Sequence, residues 1–286
     1  METTPDSAAE VVVPAAAPCV WHLTLAYDGT AYHGWQFQPD QPTLQAEVQE
    51  RLRRLLRNPQ LRIAATSRTD AGVHALDQHV SFLDNSLNSP TPAVLLSLLN
   101  RWLPADIRVL HAERREPEFN ARFSASAKAY TYVICLRERA TPFLARYAWV
   151  FHAPLHLDAM RRAAGMLVGE LDFASFGVNP RCEDREGEST VRRLFRVEVV
   201  EQDGLLYVIA LGESFLYKMV RSIVGHLVHV GRGSVPADAT RDVLAACDRR
   251  AAADSAPAQG LFLAKVFFPP EDWHAYRPVL PPPLWH

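Results

Sequence analysis

The sequence predicts an α+β protein made of two halves of like element order, with their sheets joined and a central cleft between them. Three observations carry this. Residues 20–116 alternate between periods of two and of 3.6 in the order β-α-β-β-α-β. Residues 128–268 return to that order with one extra helix. At 286 residues and 48% hydrophobic content, the chain suits one large domain or two of ordinary size around a substantial core. The pattern is that of the split βαβ unit, so each half is expected to be ferredoxin-like, with antiparallel or mixed sheets.

The elements follow in order. VWHLTLAYD (20–28) alternates and ends at the turn Asp28-Gly29, which reads as a strand. TLQAEVQERLRRLLR (43–57) sets Leu44, Val48, Leu52, Leu55 and Leu56 on one helical face, with Thr43 as N-cap and Asn58-Pro59 as stop. LRIAAT (61–66) is a short strand, and QHVSFLD (78–84) is another beyond the loop TSRTDAGVHA. TPAVLLSLLNRWL (91–103) is a helix with Thr91 as cap and Pro92 at its first position. DIRVLHAERRE (106–116) returns as a strand. In the second half, KAYTYVICL (128–136) is a strand and LDAMRRAAGMLVG (157–169) a helix ended by glycine. VRRLFRVEVVE and LLYVIALG form a hairpin across Gln202-Asp203-Gly204. SFLYKMVRSIVGHLVHVG (214–231) is a long helix, ATRDVLAACD (239–248) a short one, and GLFLAKVFF (260–268) a closing strand. The expected organisation is a disordered lead over 1–19, an N-terminal half over 20–122, a C-terminal half over 123–272 and a proline-rich tail over 273–286.

Composition excludes several classes. No apolar run approaches the roughly 18 residues that span a bilayer. The lead METTPDSAAEVVVPAAAP has no basic n-region and no arginine, which argues against secretory and transit peptides. Cys19, Cys135, Cys182 and Cys247 form no CxxC, so neither a zinc knuckle nor a redox pair is supported, and reduced thiols in the cytoplasm are expected. His152 with His156 and His226 with His229 have spacings that a metal could bridge, but no neighbouring motif supports one. The lone GRG at 231–233 is too weak for a nucleotide site. Net charge is −2, yet all but three basic residues (Lys128, Lys218, Lys265) are arginines. They cluster at 51–57, at Arg114, Arg115 and Arg122, and at 191–196. Arginine forks around phosphate and stacks on bases; a bias in codon usage explains the same excess.

The loop TSRTDAGVHA (66–75) is the informative stretch. A carboxylate after a strand, beside Arg68 and followed by Ala71-Gly72, suits a positioned nucleophile or base. Arginine keeps such a carboxylate ionised, and glycine admits close backbone approach. A structural Arg–Asp pair in an Asx-type turn is the alternative. Arg221 sits on an otherwise apolar helix and needs a buried partner. Asp70 would supply it.

SRTDAGVHA resembles the catalytic motif of tRNA pseudouridine synthases of the TruA family, close to GRTDAGVHA. YDGTAYHGWQFQPDQPTLQAEVQ (27–49), FNARFSASAKAYTYVI (119–134), SFLYKMVRSIVGHLVHVG (214–231) and QGLFLAKVFFP (259–269) resemble further blocks of that family, in family order across residues 20–270. The resemblance implies Asp70 as catalytic aspartate and Tyr130 as the tyrosine that stacks on the target base and assists proton removal. It implies Arg221 as the arginine paired with the catalytic carboxylate. Arg68 would serve base flipping and RNA binding, and Leu261 would line the pocket. Thr69, His74 and Lys128 lie in the same blocks as further substrate-binding residues. The implied reaction isomerises uridine to pseudouridine at positions 38, 39 and 40 of the tRNA anticodon arm. It needs no cofactor or metal, and the implied enzyme is a homodimer in whose cleft one tRNA spans both subunits.

Uracil leaves as a stabilised anion, so one carboxylate suffices where most glycosidases need two. Whether Asp70 attacks C1′, attacks the base or removes a ribose proton stays open. Three rivals remain: a synthase for another RNA site, a non-catalytic RNA-binding protein on the same scaffold, and a small-molecule glycosylase. Ser67 stands where the family usually has glycine, Asp77 where many members have glycine, and Ser222 where asparagine is frequent. Asp77 and the acidic loop RCEDREGEST (181–190) could both repel phosphate.

Overall fold

Residues 19–85, 89–136, 140–178 and 189–278 are described by the computed structural model. The first half of the chain supplies β1 (Cys19–Tyr27), α1 (Leu44–Leu55), β2 (Ala64–Ala65), β3 (His74–Asp84), α2 (Pro92–Trp102) and β4 (Ile107–Arg115). The second half opens with β5 (Ala127–Cys135), α3 (Pro142–Tyr147), β6 (Trp149–Val150), α4 (Leu157–Gly165) and β7 (Gly169–Asp172). It continues with β8 (Val191–Gln202), β9 (Leu205–Gly212), α5 (Met219–Gly231), α6 (Ala239–Ala246) and β10 (Leu261–Phe267).

Helix boundaries follow their caps. Thr43 and Thr91 are extended residues whose hydroxyls accept from the N–H groups of Ala46 and Val94, each at 3.4 Å, satisfying donors that the first helical turn leaves unpaired. α5 departs from expectation. It begins at Met219 rather than at Ser214, because Lys218 takes a left-handed conformation (φ 59°) that no helix can continue through. α4 likewise ends at Gly165, and Gly169 (φ 120°) instead opens β7. The sequence pattern does not announce α3, β6 and β7; at six, two and four residues they are too short to show a period.

All the strands join one mixed sheet in the order β4-β1-β3-β10-β5-β9-β8-β7, with β2 added on β3 and β6 on β5. β10, from the end of the chain, is the seam. It runs parallel to β3 at Phe262↔His74 and Leu263↔Ala75, and antiparallel to β5 on its other edge.

Alternation along the strands separates two faces. Tyr130, Tyr132 and Ile134 of β5, with Leu206, Val208 and Ala210 of β9, belong to the main core, to which α1, α2, α4 and α5 contribute Leu52, Leu99, Met160 and Ile223. Val133, Cys135, Leu205, Tyr207 and Ile209 point the other way and are covered by Leu144 of α3. Farther along that second face, Trp273 stacks on Phe195 with ring centroids 3.8 Å apart, and the Tyr276 carbonyl accepts from Arg196 Nη2. Trp273 and Tyr276, expected within a loose tail, therefore pack on the sheet. Residues 279–286 of that tail, residues 1–18 of the expected lead, Cys182 and most of the acidic loop lie outside the described residues.

Candidate active site

The loop between β2 and β3 owes its shape to its own residues and to three supports beneath it. Val73 N–H closes on the Asp70 carbonyl at 3.1 Å, so Asp70-Ala71-Gly72-Val73 is a tight turn. Gly72 takes the third position with φ +76°, a conformation that glycine adopts without strain. Trp35 N–H donates to the Thr69 carbonyl at 3.0 Å. That approach is possible because the neighbouring residue is Gly34 (φ +91°), where a Cβ would stand 2.7 Å from the same carbonyl oxygen. Gln78, wholly buried on β3, grips the Ser67 peptide at both ends: its Oε1 accepts from Ser67 N–H (3.3 Å) and its Nε2 donates to the Ser67 carbonyl (2.7 Å).

So held, the loop presents Asp70 to α5. Arg221 Nη1 donates to Asp70 Oδ2 at 2.8 Å, with the two side chains only 15% and 9% exposed. Arg221 Nε donates to the Ala256 carbonyl at 2.8 Å, and Ala256 N–H returns to the Arg221 carbonyl at 2.9 Å, so a strap from the C-terminal half fixes the guanidinium. Burial raises the Asp70 carboxyl above its ordinary range; the Arg221 hydrogen bond and charge, with a contribution from Lys218, oppose that. Tyr130, buried on β5, shares a hydrogen bond of 2.5 Å with Ser67 Oγ and is packed edge-on against Phe215. Burial pushes its phenol up to about 12, against the Ser67 hydrogen bond, and the Asp70 charge adds to the rise.

The expected residues divide. Asp70 and Arg221 pair, as the buried arginine required, and Tyr130 lies close enough to feel the Asp70 charge. Leu261 is buried in the apolar layer on the same face, paired with Tyr132 in the sheet. Arg68, two positions before Asp70 in the loop, is exposed. Lys128 lies near the loop, its Nζ donating to the Thr66 carbonyl at 2.7 Å, and burial lowers it to about 8, with the Arg122 charge adding.

Two residues do not belong with them. Thr69 turns inward, its hydroxyl 2.8 Å from the Tyr27 hydroxyl, and so supports the loop instead of facing a substrate. His74 is 1% exposed and lies on the second face, stacked on Phe262, with Nδ1 accepting from Gly29 N–H and Nε2 facing the Gln259 carbonyl. A β-bulge explains its placement. From Leu25 to Tyr27 the partners on β3 run from Gln78 back to Ala75, one residue more on β3 than on β1. The extra residue puts Gln78 on the active face and His74 on the other. Nothing local in HALDQ announces it.

Sequence reading also missed Ser67 and Gln78 as site residues, and Lys218 with Tyr217, whose charge or ring lies close enough to Asp70 to couple with it. The one available signal was that Ser67 replaces a glycine. Asp77 is engaged by β10: it accepts from Val266 N–H at 2.8 Å and lies 3.5 Å from Lys265 Nζ. Many of the clustered arginines are engaged locally. Arg51 and Arg54 pair with Glu47 and Glu50 one helical turn away, and Arg115 pairs with Glu113 and Glu116. A cavity of about 300 Å³, lined by Asp28, His74, Leu144, Tyr147, Tyr207 and Phe262, opens on the second face, and Asp70, Tyr130 and Arg221 do not line it. Among the described residues no three His, Cys, Asp or Glu side chains could hold a metal, and no helix is long and apolar enough to cross a membrane.

Residues 163–269 match a family model described as tRNA pseudouridine synthase. Over 246 residues the chain is 37% identical to the tRNA pseudouridine synthase A of Geobacillus sp. (strain WCH70), covering 86% of this chain and 96% of that one. This chain belongs to the tRNA pseudouridine synthase A family. The synthase A of Exiguobacterium sp. (strain ATCC BAA-1283 / AT1b) is 42% identical over 245 residues, covering 85% and 96% of the two chains. That of Chlamydia trachomatis serovar A is 39% identical over 249 residues, covering 87% and 91%. Among solved structures, an archaeal box H/ACA sRNP Nop10-Cbf5 complex aligns over 72% of this chain and 53% of that one, at 14% identity and a TM-score of 0.29, a likeness too slight to carry an argument. Synthases of this family are isomerases, so the Asp70 loop belongs to a fold whose relatives rearrange uridine in tRNA.

Proposed function

We propose that the chain isomerises uridine to pseudouridine in the tRNA anticodon stem-loop, at positions 38, 39 and 40, with Asp70 as the carboxylate that begins the reaction. The observation that carries the reading is the buried Asp70–Arg221 pair, a negative charge kept ionised within a mostly apolar site by a guanidinium that is itself anchored. The strand orders β4-β1-β3-β2 and β10-β5-β9-β8 support the finer view of two split βαβ units facing one catalytic cleft.

The chemistry follows from these groups. The N1–C1′ bond breaks and its electron pair leaves with uracil, helped by Asp70 acting on the sugar or on the base. The base turns, C5 bonds to C1′, the C5 proton is lost and N1 gains one, so the product is an isomer of the substrate. Tyr130 stands where it can face the base and assist removal of the C5 proton. In folded RNA the uridine must leave its stack; exposed Arg68 suits the gap and the phosphates, and Lys128 suits a phosphodiester nearby. The enzyme acts in the cytoplasm as a homodimer, one tRNA spanning both subunits.

The test incubates purified protein with unmodified tRNA bearing uridines at 38, 39 and 40, with Asp70→Asn alongside, and maps pseudouridine by carbodiimide-stop sequencing. Stops at those positions, absent with the variant, are the expected result. Stops elsewhere would reassign the RNA site, and tight binding without any stops would make the chain a non-catalytic RNA-binding protein.

A further inference from the structure

Tyr130 poses a chemical problem that its neighbour Ser67 answers. A phenol pushed up to about 12 is protonated at neutral pH, so it can take a proton from carbon only if it gives one away at the same time. Asp70 is no outlet, since its charge is held by Arg221. The hydrogen-bond partner that the phenolic oxygen does have is Ser67 Oγ.

The geometry is built for a fixed contact. Gln78 holds both the N–H and the carbonyl of Ser67, so the backbone that carries the hydroxyl cannot turn. The ring of Tyr130 is fixed by strand pairing on both sides, to Ala210 of β9 and Leu263 of β10, and by Phe215 against its edge. Ser67 is only half-buried and is followed by exposed Arg68, so solvent reaches this residue.

We propose that Ser67 is a positioning residue that serves as the proton outlet of Tyr130, resting on the reading of this chain as a pseudouridine synthase. After C5 has bonded to C1′, the C5–H bond breaks and its electron pair restores the double bond of the ring. That proton bonds to Tyr130 Oη as the phenol's own proton passes to Ser67 Oγ, and the serine's original proton goes to bulk water. The chain ends with Tyr130 and Ser67 both neutral, and no oxidant, metal or further reactant is consumed.

The experiment compares wild type, Ser67→Ala and Ser67→Thr in single turnover on tRNA carrying ordinary or 5-deuterated uridine at the target, with tRNA affinity measured in parallel. Ser67→Ala is expected to slow turnover about tenfold or more, to raise the 5-deuterium isotope effect above the wild-type value and to leave tRNA affinity unchanged; Ser67→Thr, which keeps a hydroxyl, is expected to restore both rate and isotope effect. An alanine variant with wild-type rate and isotope effect overturns the relay. So does a slowed variant whose isotope effect does not rise, since the serine would then be shaping the loop only. If wild type makes no pseudouridine on any tRNA, the functional reading itself fails, and the relay falls with it.

Discussion

Asp70 and Arg221, 151 positions apart, meet at 2.8 Å across the two halves of the chain. Each is the other's remedy: the carboxylate offsets a cation on an apolar helix, and the cation keeps a buried carboxylate charged. Substitution of either therefore has distinct consequences. Asp70→Asn is expected to abolish turnover while leaving tRNA affinity within about tenfold, roughly 1.4 kcal/mol. Arg221→Ala, which strands a buried charge, is expected to lower stability by about 3 kcal/mol and activity with it. Urea denaturation beside turnover assays checks both; full activity in Arg221→Ala would refute a working pair.

The raised Asp70 carboxyl sets opposite pH trends for stability and rate. Asp70 is protonated more readily in the fold than in the unfolded chain, so its contribution to stability is fully present below the ordinary value of 3.8 and is lost as pH rises through the raised folded value. The proposed reaction begins on the ionised form, so the single-turnover rate is expected to climb over that same window. A rate profile whose acid limb lies at or below 3.8 would contradict the site's electrostatics.

Gln78→Leu should be costly out of proportion to its distance from any substrate. It leaves the Ser67 N–H and carbonyl without their partner in a partly buried setting, a loss of about 2 kcal/mol. Denaturation midpoints should fall, and the rate should fall with them as the loop loses its footing. A variant as stable and active as wild type would show that the loop is held by its turn alone.

If Lys128 meets a phosphate as proposed, RNA affinity is expected to depend on pH. Its lowered value means that the charged form is disfavoured in the fold, so its contribution is present above 10.5 and is lost as pH falls through about 8. Lys128→Met should thus gain stability relative to wild type at pH 7 and lose that gain near pH 10.5. Because a phosphate favours the ammonium, wild-type affinity for tRNA should weaken as pH rises through about 8, and the methionine variant should lack that dependence and show a salt slope smaller by about one. Equal slopes would remove Lys128 from the RNA-binding surface.

What the sequence determined by itself was whatever neighbouring residues decide. Thr43 and Thr91 begin their helices because a hydroxyl reaches N–H groups three residues on. DAGV turns at Asp70 because glycine takes the positive φ. That Arg221 needs a buried partner was legible for an energetic reason, since an apolar helix cannot leave a guanidinium unpaired; the family resemblance pointed to Asp70 as that partner. The tertiary structure alone decided which side of the sheet each residue faces and what it meets there. One extra residue in β3 sends His74 to the second face and Gln78 to the first, and a left-handed Lys218 shortens α5. Sheet register brings Ser67 to Tyr130, 63 positions away. Side-chain direction in a strand alternates with every residue, so a single bulge reverses it, and only the register with distant strands fixes where a bulge falls.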